Sequence, residues 1–495
     1  MNKSTLSRRD FIKYSSSAII TFPCLSSVSF SDQSTQGIVV NDVHSQLNKT
    51  TVHEIVSAKT FEELQALIRS SKSTGNKISI SGARHAMGTQ QFGTNTTLVD
   101  MRLMDKVLHL DRETKTVEVQ SGITWPKLIR WLNEYAPELS IIQKQTGADE
   151  LTLGGALAAN VHGRGLTRKP IIGDVESFTL IDSNAQRLKC SRSKNSELFK
   201  LAIGGYGLFG IIDTIKLRLM DRIKIQRIVE IKTTDELMPV IDDRISKNFL
   251  YGDFQYMTDE KSVDFMRKGV LSCYKPVPED APISTQKRKL NLEDWQALYQ
   301  LAHLDKAKAY QQYRDYYLST NGQIYWSDLH QYSTYLKNQN KVLNEVRGLK
   351  HNASLMITEL YCPRDQIANF MENTRVVALK NAMNIVYGTI RFIEKDNESF
   401  LPWANERYAC IIFNLEVMHT PEGIKKAIRD FRALIDESLK LGGNYFLTYH
   451  RWARKDQVKQ GYPQIDQFLQ QKKQYDPEEI FSSDWYRHYK EMFSV

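Results

Sequence analysis

Apolar positions recur at helical spacing at Leu64, Leu67 and Ile68, behind Thr60-Phe61-Glu62-Glu63 and ahead of Gly75. Thr60 and Glu63 have the spacing of a capping box and Gly75 that of a helix stop, so this pattern predicts one helix. Short apolar runs at 78–80, 98–101, 107–110 and 117–120 read as strands, the last two joined by the polar turn DRETKT. Pro126 opens a second helix through Leu128, Ile129 and Leu132. A third, NSELFKLAI, starts at Asn195 or Ser196. Ile211, Ile215, Leu217 and Leu219 then alternate on one face of a strand. The region to about residue 220 is mixed α+β.

Residues 221–350 hold a long polar and aromatic helical stretch over Asn291–Thr320, stopped by Asn321-Gly322. A clearer rhythm follows: strand 355–361, a helix from Pro363, strands 385–393 and 408–417, a helix from Thr420-Pro421 to Gly442, and strand 444–449. The last helix puts Ile424, Ile428, Phe431, Leu434 and Ile435 on one side. This β-α-β-β-α-β order predicts an antiparallel sheet with helices on one side. No internal repeat is visible in the residues.

Length alters this picture first: 495 residues exceed one ordinary core, so two domains are expected. The net charge of +9 changes it less. Lys3, Arg8, Arg9 and Lys13 against Asp10 place +3 of it in the first thirteen residues. Elsewhere there is no basic run, which argues against nucleic-acid binding. Ser7-Arg8-Arg9-Asp10-Phe11-Ile12-Lys13 and the short stretch Tyr14–Val28 resemble a twin-arginine export signal over 1–31, implying a periplasmic or secreted protein. That stretch is too short and too rich in serine to rest across a bilayer. Residues 32–50 read as a polar linker. The five cysteines are dispersed with no CxxC, which disfavours a zinc site.

The glycines of AIGGYGLFGIID (202–213), Gly205, Gly207 and Gly210, have dinucleotide-turn spacing, with Glu230 twenty residues on. They join a helix to a strand, however, whereas a Rossmann fingerprint needs strand, turn, helix, so that reading is rejected. Two other glycine loops, SGARHAMG (81–88) and TGADELTLGGALAANVHGRG (146–165), suit close approach to a ligand. Neither has the Gly-Lys-Ser/Thr of a P-loop.

Taken together and in order, Gly82-Ala83-Arg84-His85-Ala86, LTLGGALAANVHGRG and AIGGYGLFGII resemble the PCMH-type FAD-binding domain of the vanillyl-alcohol oxidase family. The resemblance is to the sugar-alcohol and aldonolactone oxidases. Through GGALAANVHG, GGYGLFGII and YPQIDQFLQQKKQYDPEEIFSSD it extends to decaprenylphosphoryl-ribose oxidases. It implies an α+β fold with a flavin domain over 51–220, an antiparallel-sheet cap or substrate domain over 221–450, and a segment 451–495 returning to the flavin domain. It also implies FAD held by Ser81, Gly82, Ala83, Arg84, His85, Ala86, Gly88, Thr146, Gly147, Leu153, Gly154, Gly155, Ala158, Asn160, Gly163, Gly210, Ile211 and Ile212. In the sugar oxidases a histidine at the place of His85 carries the flavin covalently. The decaprenylphosphoryl-ribose enzymes lack it and hold FAD without a bond, and both alternatives stand here. Ala86 replaces a usual serine.

The same resemblance points to Arg391 in TIRFIEKD (389–396), to His450 and Lys455 in YHRWARK (449–455), and to His162 in NVHGRG as catalytic residues. Thr389 replaces the acid usual two places before the arginine. Hydride leaving a carbinol carbon requires an acceptor for the hydroxyl proton, a role suited to His450, and a cation such as Arg391 or Lys455 near the growing negative charge. The implied activity is oxidation of a CH–OH group of a sugar, alditol, aldonolactone or sugar-lipid, with electrons passed to oxygen or another acceptor. A decaprenylphosphoryl-ribose-type dehydrogenase and a non-catalytic secreted flavin- or carbohydrate-binding protein are the rival readings.

Overall fold

In the computed structural model the described residues are 37–494 except 146, 148, 285–287, 334–335 and 337. The expected signal at 1–31 therefore lies outside them. Two sheets build the first part of the chain. A small parallel sheet places strand Thr97–Asp100 between Glu54–Ser57 and Ile78–Ser81. Helix Phe61–Thr74 buries Leu64 and Ile68 in a core with Ile78 and Val99. Thr60 accepts from the Glu63 N–H at 3.2 Å, and Gly75 closes the helix at φ 76°. The other half of the box is displaced by one residue: the Glu63 carboxylate accepts from the Lys59 N–H.

The second sheet is antiparallel, in the order Arg187–Ser191, Val175–Ile181, Ile211–Asp221, Thr116–Gln120 and Val107–Asp111, with Leu139–Ile141 on the far end of Ile211–Asp221. The expected glycine join is confirmed: helix Ser196–Ala202 precedes it and Ile211–Asp221 follows. Ile211, Ile215 and Leu217 are buried at alternate positions. Part of the segment expected as a linker is instead built in. Ile38–Val40 pairs with Thr50–Val52, and the Asp42 carboxylate accepts from the Ser45 hydroxyl and Asn48 amide.

The remaining strands form one eight-stranded sheet, and its two halves share a topology. Lys224–Thr233, helix Thr234–Ser246, Tyr251–Tyr256 and Lys268–Pro276 make a β-α-β-β unit. Ala353–Pro363, helix Ile367–Lys380, Ile385–Ile393 and Tyr408–Met418 make a second. They meet edge to edge where Phe254 faces Ile390, with Ile324–Trp326 and Asn444–Tyr445 as the outermost strands. The repeat is topological and was invisible in residue identity.

Two expectations are corrected here. The helical stretch 291–320 is two helices, Leu292–Leu304 and Lys306–Ser319, because Asp305 ends the first and caps the second through the Lys308 N–H. Helices also cover both faces of the sheet. Leu237, Phe370 and Phe431 share a core with Leu360 and Ile390 on one face, whereas Tyr313 packs on Val229 and Val270 of the other. The last expected strand, 444–449, stops at Tyr445, and the chain leaves the sheet there.

Candidate active site

The loop after strand Ile78–Ser81 is clamped from two directions. Val43 N–H donates to Arg84 O, Asn48 donates to Met87 O, and Met87 N–H donates to Thr448 O. Arg84 is held at φ 63°, a left-handed conformation that a non-glycine residue adopts at some cost. Across from it, Thr152 caps helix Leu153–Ala159, and a Cβ on Gly82 would lie 2.1 Å from the Thr152 hydroxyl. Loop and helix can approach this closely only with glycine at 82. The glycine join packs on the end of the same helix, with Gly204 N–H donating to Leu157 O and Tyr206 N–H to Ala158 O.

These elements wall a cleft of about 1250 Å³ including its mouth. Of the residues singled out in the sequence, Ser81, Gly82, Ala83, Arg84, His85, Ala86, Gly154, Gly155, Ala158, Gly210, Ile212 and His162 line it. The opposite wall is Ile357 and Glu359 of strand Ala353–Pro363 with Phe446, Thr448 and Tyr449. Buried polar atoms of Ser81, Arg84, Gln90, Gln91 and Gln145, residues that line the cleft, have no hydrogen-bond partner among the described residues. A glycine-floored slot with unsatisfied donors and acceptors fits a flat ligand rich in nitrogen and oxygen, as a flavin dinucleotide is.

Other expected residues lie elsewhere. Leu153 and Ile211 are core residues. Asn160 is a left-handed helix cap that donates to Asp396 and receives Ile172 N–H. Gly88 packs against Tyr449 O and Trp485, and Gly163 against Gln143 and Lys144. Gly147 N–H donates to Ser333, and Thr146 lies outside the described residues. His450 is buried away from the cleft lining, stacked on Trp452 at 4.2 Å, and burial pushes its pKa down to about 4. Lys455 is exposed at the start of helix Lys455–Gly461, its amine over Phe493. The chain turns away at Tyr445, so the segment presents Tyr449 to the cleft rather than His450 or Lys455.

A buried polar cluster on the cleft wall is formed by His162 and a residue that sequence reasoning missed, Glu359. His162 Nδ1 donates to Gly163 O at 2.8 Å, and Nε2 stands 2.6 Å from the Glu359 carboxylate. Tyr449 donates its hydroxyl to the other carboxylate oxygen at 3.3 Å. Burial alone would raise the Glu359 pKa, but the His162 charge and hydrogen bond and the Arg391 charge outweigh it and hold the group below its ordinary value. Arg391 is itself buried at 8% exposure, and its Nε has no hydrogen-bond partner among the described residues. Behind these groups, burial lowers the Lys144 amine although Asp149 pairs with it at 2.6 Å.

Register places Thr389 on the face that carries Glu359. Thr389 and Glu359 both pair with Ile412 of the strand between them, so the three share one face. Thr389 donates to Phe254 O, and the carboxylate stands two strands away at the same level. The signal available in the sequence was a single acid inside the apolar run LMITELYCP. Cys410 belongs to the same group, with its ligand atom and those of His162 and Glu359 within 4.8 Å of one another. Burial holds its thiol well above the ordinary range, which keeps it protonated.

Residues 52–191 match a family described as an FAD binding domain. The chain is 26% identical over 257 residues to the mitochondrial L-galactono-1,4-lactone dehydrogenase of Brassica oleracea, covering 50% of this chain and 42% of that one. It is 25% identical over 189 residues to the L-gulonolactone oxidase of Bos taurus, covering 38% and 42%. A third relative, the decaprenylphosphoryl-beta-D-ribose oxidase of Mycolicibacterium smegmatis, is 19% identical over 452 residues, covering 88% and 94%. The chain thus spans less than half the length of the lactone-oxidising relatives.

Proposed function

We propose that this chain, whose residues 52–191 belong to the FAD binding domain family, is an FAD-dependent oxidoreductase that oxidises a CH–OH group of a sugar, alditol, aldonolactone or sugar-lipid. The observation that carries this reading is the 2.6 Å His162–Glu359 contact on the wall of the cleft, beside the buried Arg391. FAD supplies the two-electron acceptor chemistry when bound. Loop 81–86, Gly154, Gly155, Ala158 and Gly210 would hold it. On our assignment 51–220 is the flavin part, 221–450 the cap, and 451–495 the returning segment.

The protein's own groups then have separable tasks. Loss of hydride from a carbinol carbon makes the hydroxyl proton acidic. Glu359, kept ionised by His162 and Arg391, accepts it. The Gly163 carbonyl fixes the imidazole so that the carboxylate does not rotate away. Tyr449 closes the cleft over the same carboxylate. Arg391 supplies fixed positive charge where negative charge grows, with no rearrangement of water.

The test is an anaerobic substrate screen on the purified yellow protein, watching the flavin band bleach. Glu359→Gln should keep the colour and slow bleaching on the order of 100-fold or more, the usual worth of a positioned base. Wild-type bleaching rates in that variant would remove the role given to Glu359. A decaprenylphosphoryl-ribose-type activity is favoured by one observation, the alignment that runs through both halves of the chain. Bleaching by a phosphoryl-ribose lipid and by no free sugar or lactone would select it. Ser7–Lys13 supports export by the twin-arginine route, so Arg8→Lys with Arg9→Lys should leave the protein in the cytoplasmic fraction.

A further inference from the structure

The cluster on the cleft wall contains one contact that neutral groups cannot make. The His162 ring gives its Nδ1 proton to Gly163 O, which leaves Nε2 as the lone-pair nitrogen of a neutral imidazole. Yet Nε2 faces a carboxylate oxygen of Glu359, also an acceptor, at 2.6 Å. Two acceptors this close need a cation between them, either a second proton or a metal ion. The other Glu359 oxygen is engaged by the Tyr449 hydroxyl, so a single oxygen faces the imidazole. The Cys410 sulfur completes a triangle: the three ligand atoms lie within 4.8 Å of one another, and all three residues are buried.

We propose that His162, Glu359 and Cys410 bind a divalent cation of the Zn2+ class, in competition with the proton that the imidazole and carboxylate share. Imidazole nitrogen, carboxylate oxygen and thiolate are the ligand types that such an ion takes, and three protein ligands leave a fourth position for water or substrate. His162 and Glu359 line the cleft, which gives the ion its way in. Tetrahedral zinc spaces its ligand atoms roughly 3.3–3.6 Å apart, so the His162–Glu359 pair opens and the sulfur closes in, movements that side-chain rotation supplies. The backbones are fixed. Glu359 and Cys410 lie on paired strands, opposite Ile412 and Tyr361 respectively. His162 is aimed by its bond to a backbone carbonyl, as metal-bound histidines ordinarily are. Its ring lies 5.2 Å from that of Trp403, whose indole N–H donates to Asn160 O two residues earlier. Arg391, opposite Cys410 on the next strand, does not oppose the ion. The cation displaces two protons to water, one from between His162 and Glu359 and one from the thiol, so the net charge of the buried group is unchanged. The effect on the reaction rests on the flavoprotein reading above: the ion takes the Glu359 oxygen that accepts the substrate's proton, and so acts as a brake.

The experiment dialyses chelator-treated full-length protein against Zn2+ alone, counts the metal retained and records X-ray absorption at the zinc edge. Wild type should keep one zinc per chain, with one sulfur at about 2.3 Å and nitrogen or oxygen at about 2.0–2.2 Å. Cys410→Ala should lose the sulfur signal and hold zinc on the order of 100-fold more weakly, and Glu359→Gln should weaken it as well. Zinc surrounded only by nitrogen and oxygen in wild type, or held equally by Cys410→Ala, is an adventitious ion only and overturns the proposal; so does failure to retain zinc in stoichiometric amount. The wild-type spectrum decides the matter even where a variant does not fold. In the anaerobic bleaching assay, zinc should slow the wild type on the order of 10-fold or more, with recovery on adding chelator. Unslowed bleaching by zinc-loaded protein would overturn the brake. A protein that takes up no flavin would remove the flavoprotein reading and leave the metal measurement standing.

Discussion

At the scale of single residues, burial and not sequence position decides which histidine does what. His450 has the motif position of a base, but it is buried against Trp452 with a pKa near 4. Its unfolded value is the ordinary one, near 6.5. Between these values the unfolded chain binds the extra proton, so this contribution to stability is complete above about pH 6.5 and is lost as pH falls toward 4. His44, also lowered to about 4 by burial, acts in the same direction but borders an open cleft, where water softens the effect. Asp174, raised to about 7 by burial, acts oppositely. The clean measurement is therefore a difference: His450→Gln should gain stability relative to wild type as urea titrations move from pH 7 to pH 4.5. A constant difference across that range would contradict the buried neutral state. Of the site itself, His162, His85 and the glycines were legible because glycine-bounded loops leave little else for such residues to do. Glu359, His44 and Tyr449 were not, since each reaches the cleft by register or chain return that linear spacing does not encode.

Among the elements, strands 385–393 and 408–417 and helix 420–442 were readable in advance, because their apolar patterns match the surfaces they bury. The strands of the first β-α-β-β unit were missed. Lys224–Thr233 breaks its apolar alternation with a charge, because its buried face sets Arg227 between Ile225 and Val229, where it donates to Tyr274 and lies 4.8 Å from the Tyr325 ring centroid. A cation packed among tyrosines reads as surface in a hydropathy pattern. The two helices after it likewise bury little, and only the Asp305 cap marks their break. Where the two sheet halves meet, Gly388 faces the ring of Tyr256, whose hydroxyl donates to Ile412 O. A Cβ there would lie 1.9 Å from the ring, so Gly388→Ala should cost about 1–3 kcal/mol as overpacking. A shifted urea midpoint with an unchanged slope would register it.

For the whole molecule, the decisive feature is the return of segment 451–495 to the first sheet. Ile78 N–H donates to Ile480 O, Ser482 N–H donates to Ile78 O, and Phe481 joins the core under helix Phe61–Thr74. Asp476 shapes that return by receiving Ile480 and Phe481 N–H, and it pairs with the fully buried Lys472. Removing one member of such a pair strands the other, so Asp476→Ala should lose about 3–5 kcal/mol and should weaken FAD retention as well. Unchanged retention in a folded variant would separate the tail from the site. The return was visible in the sequence only as a resemblance, since contacts four hundred residues apart leave no periodicity.

The edge that Phe481 completes belongs to the strand whose end carries loop 81–88. Val43, Asn48 and Thr448 clamp the loop itself, whereas Phe481 braces the strand from which it springs. Loosening of the tail and loosening of the strand that carries this loop are therefore one event, not two.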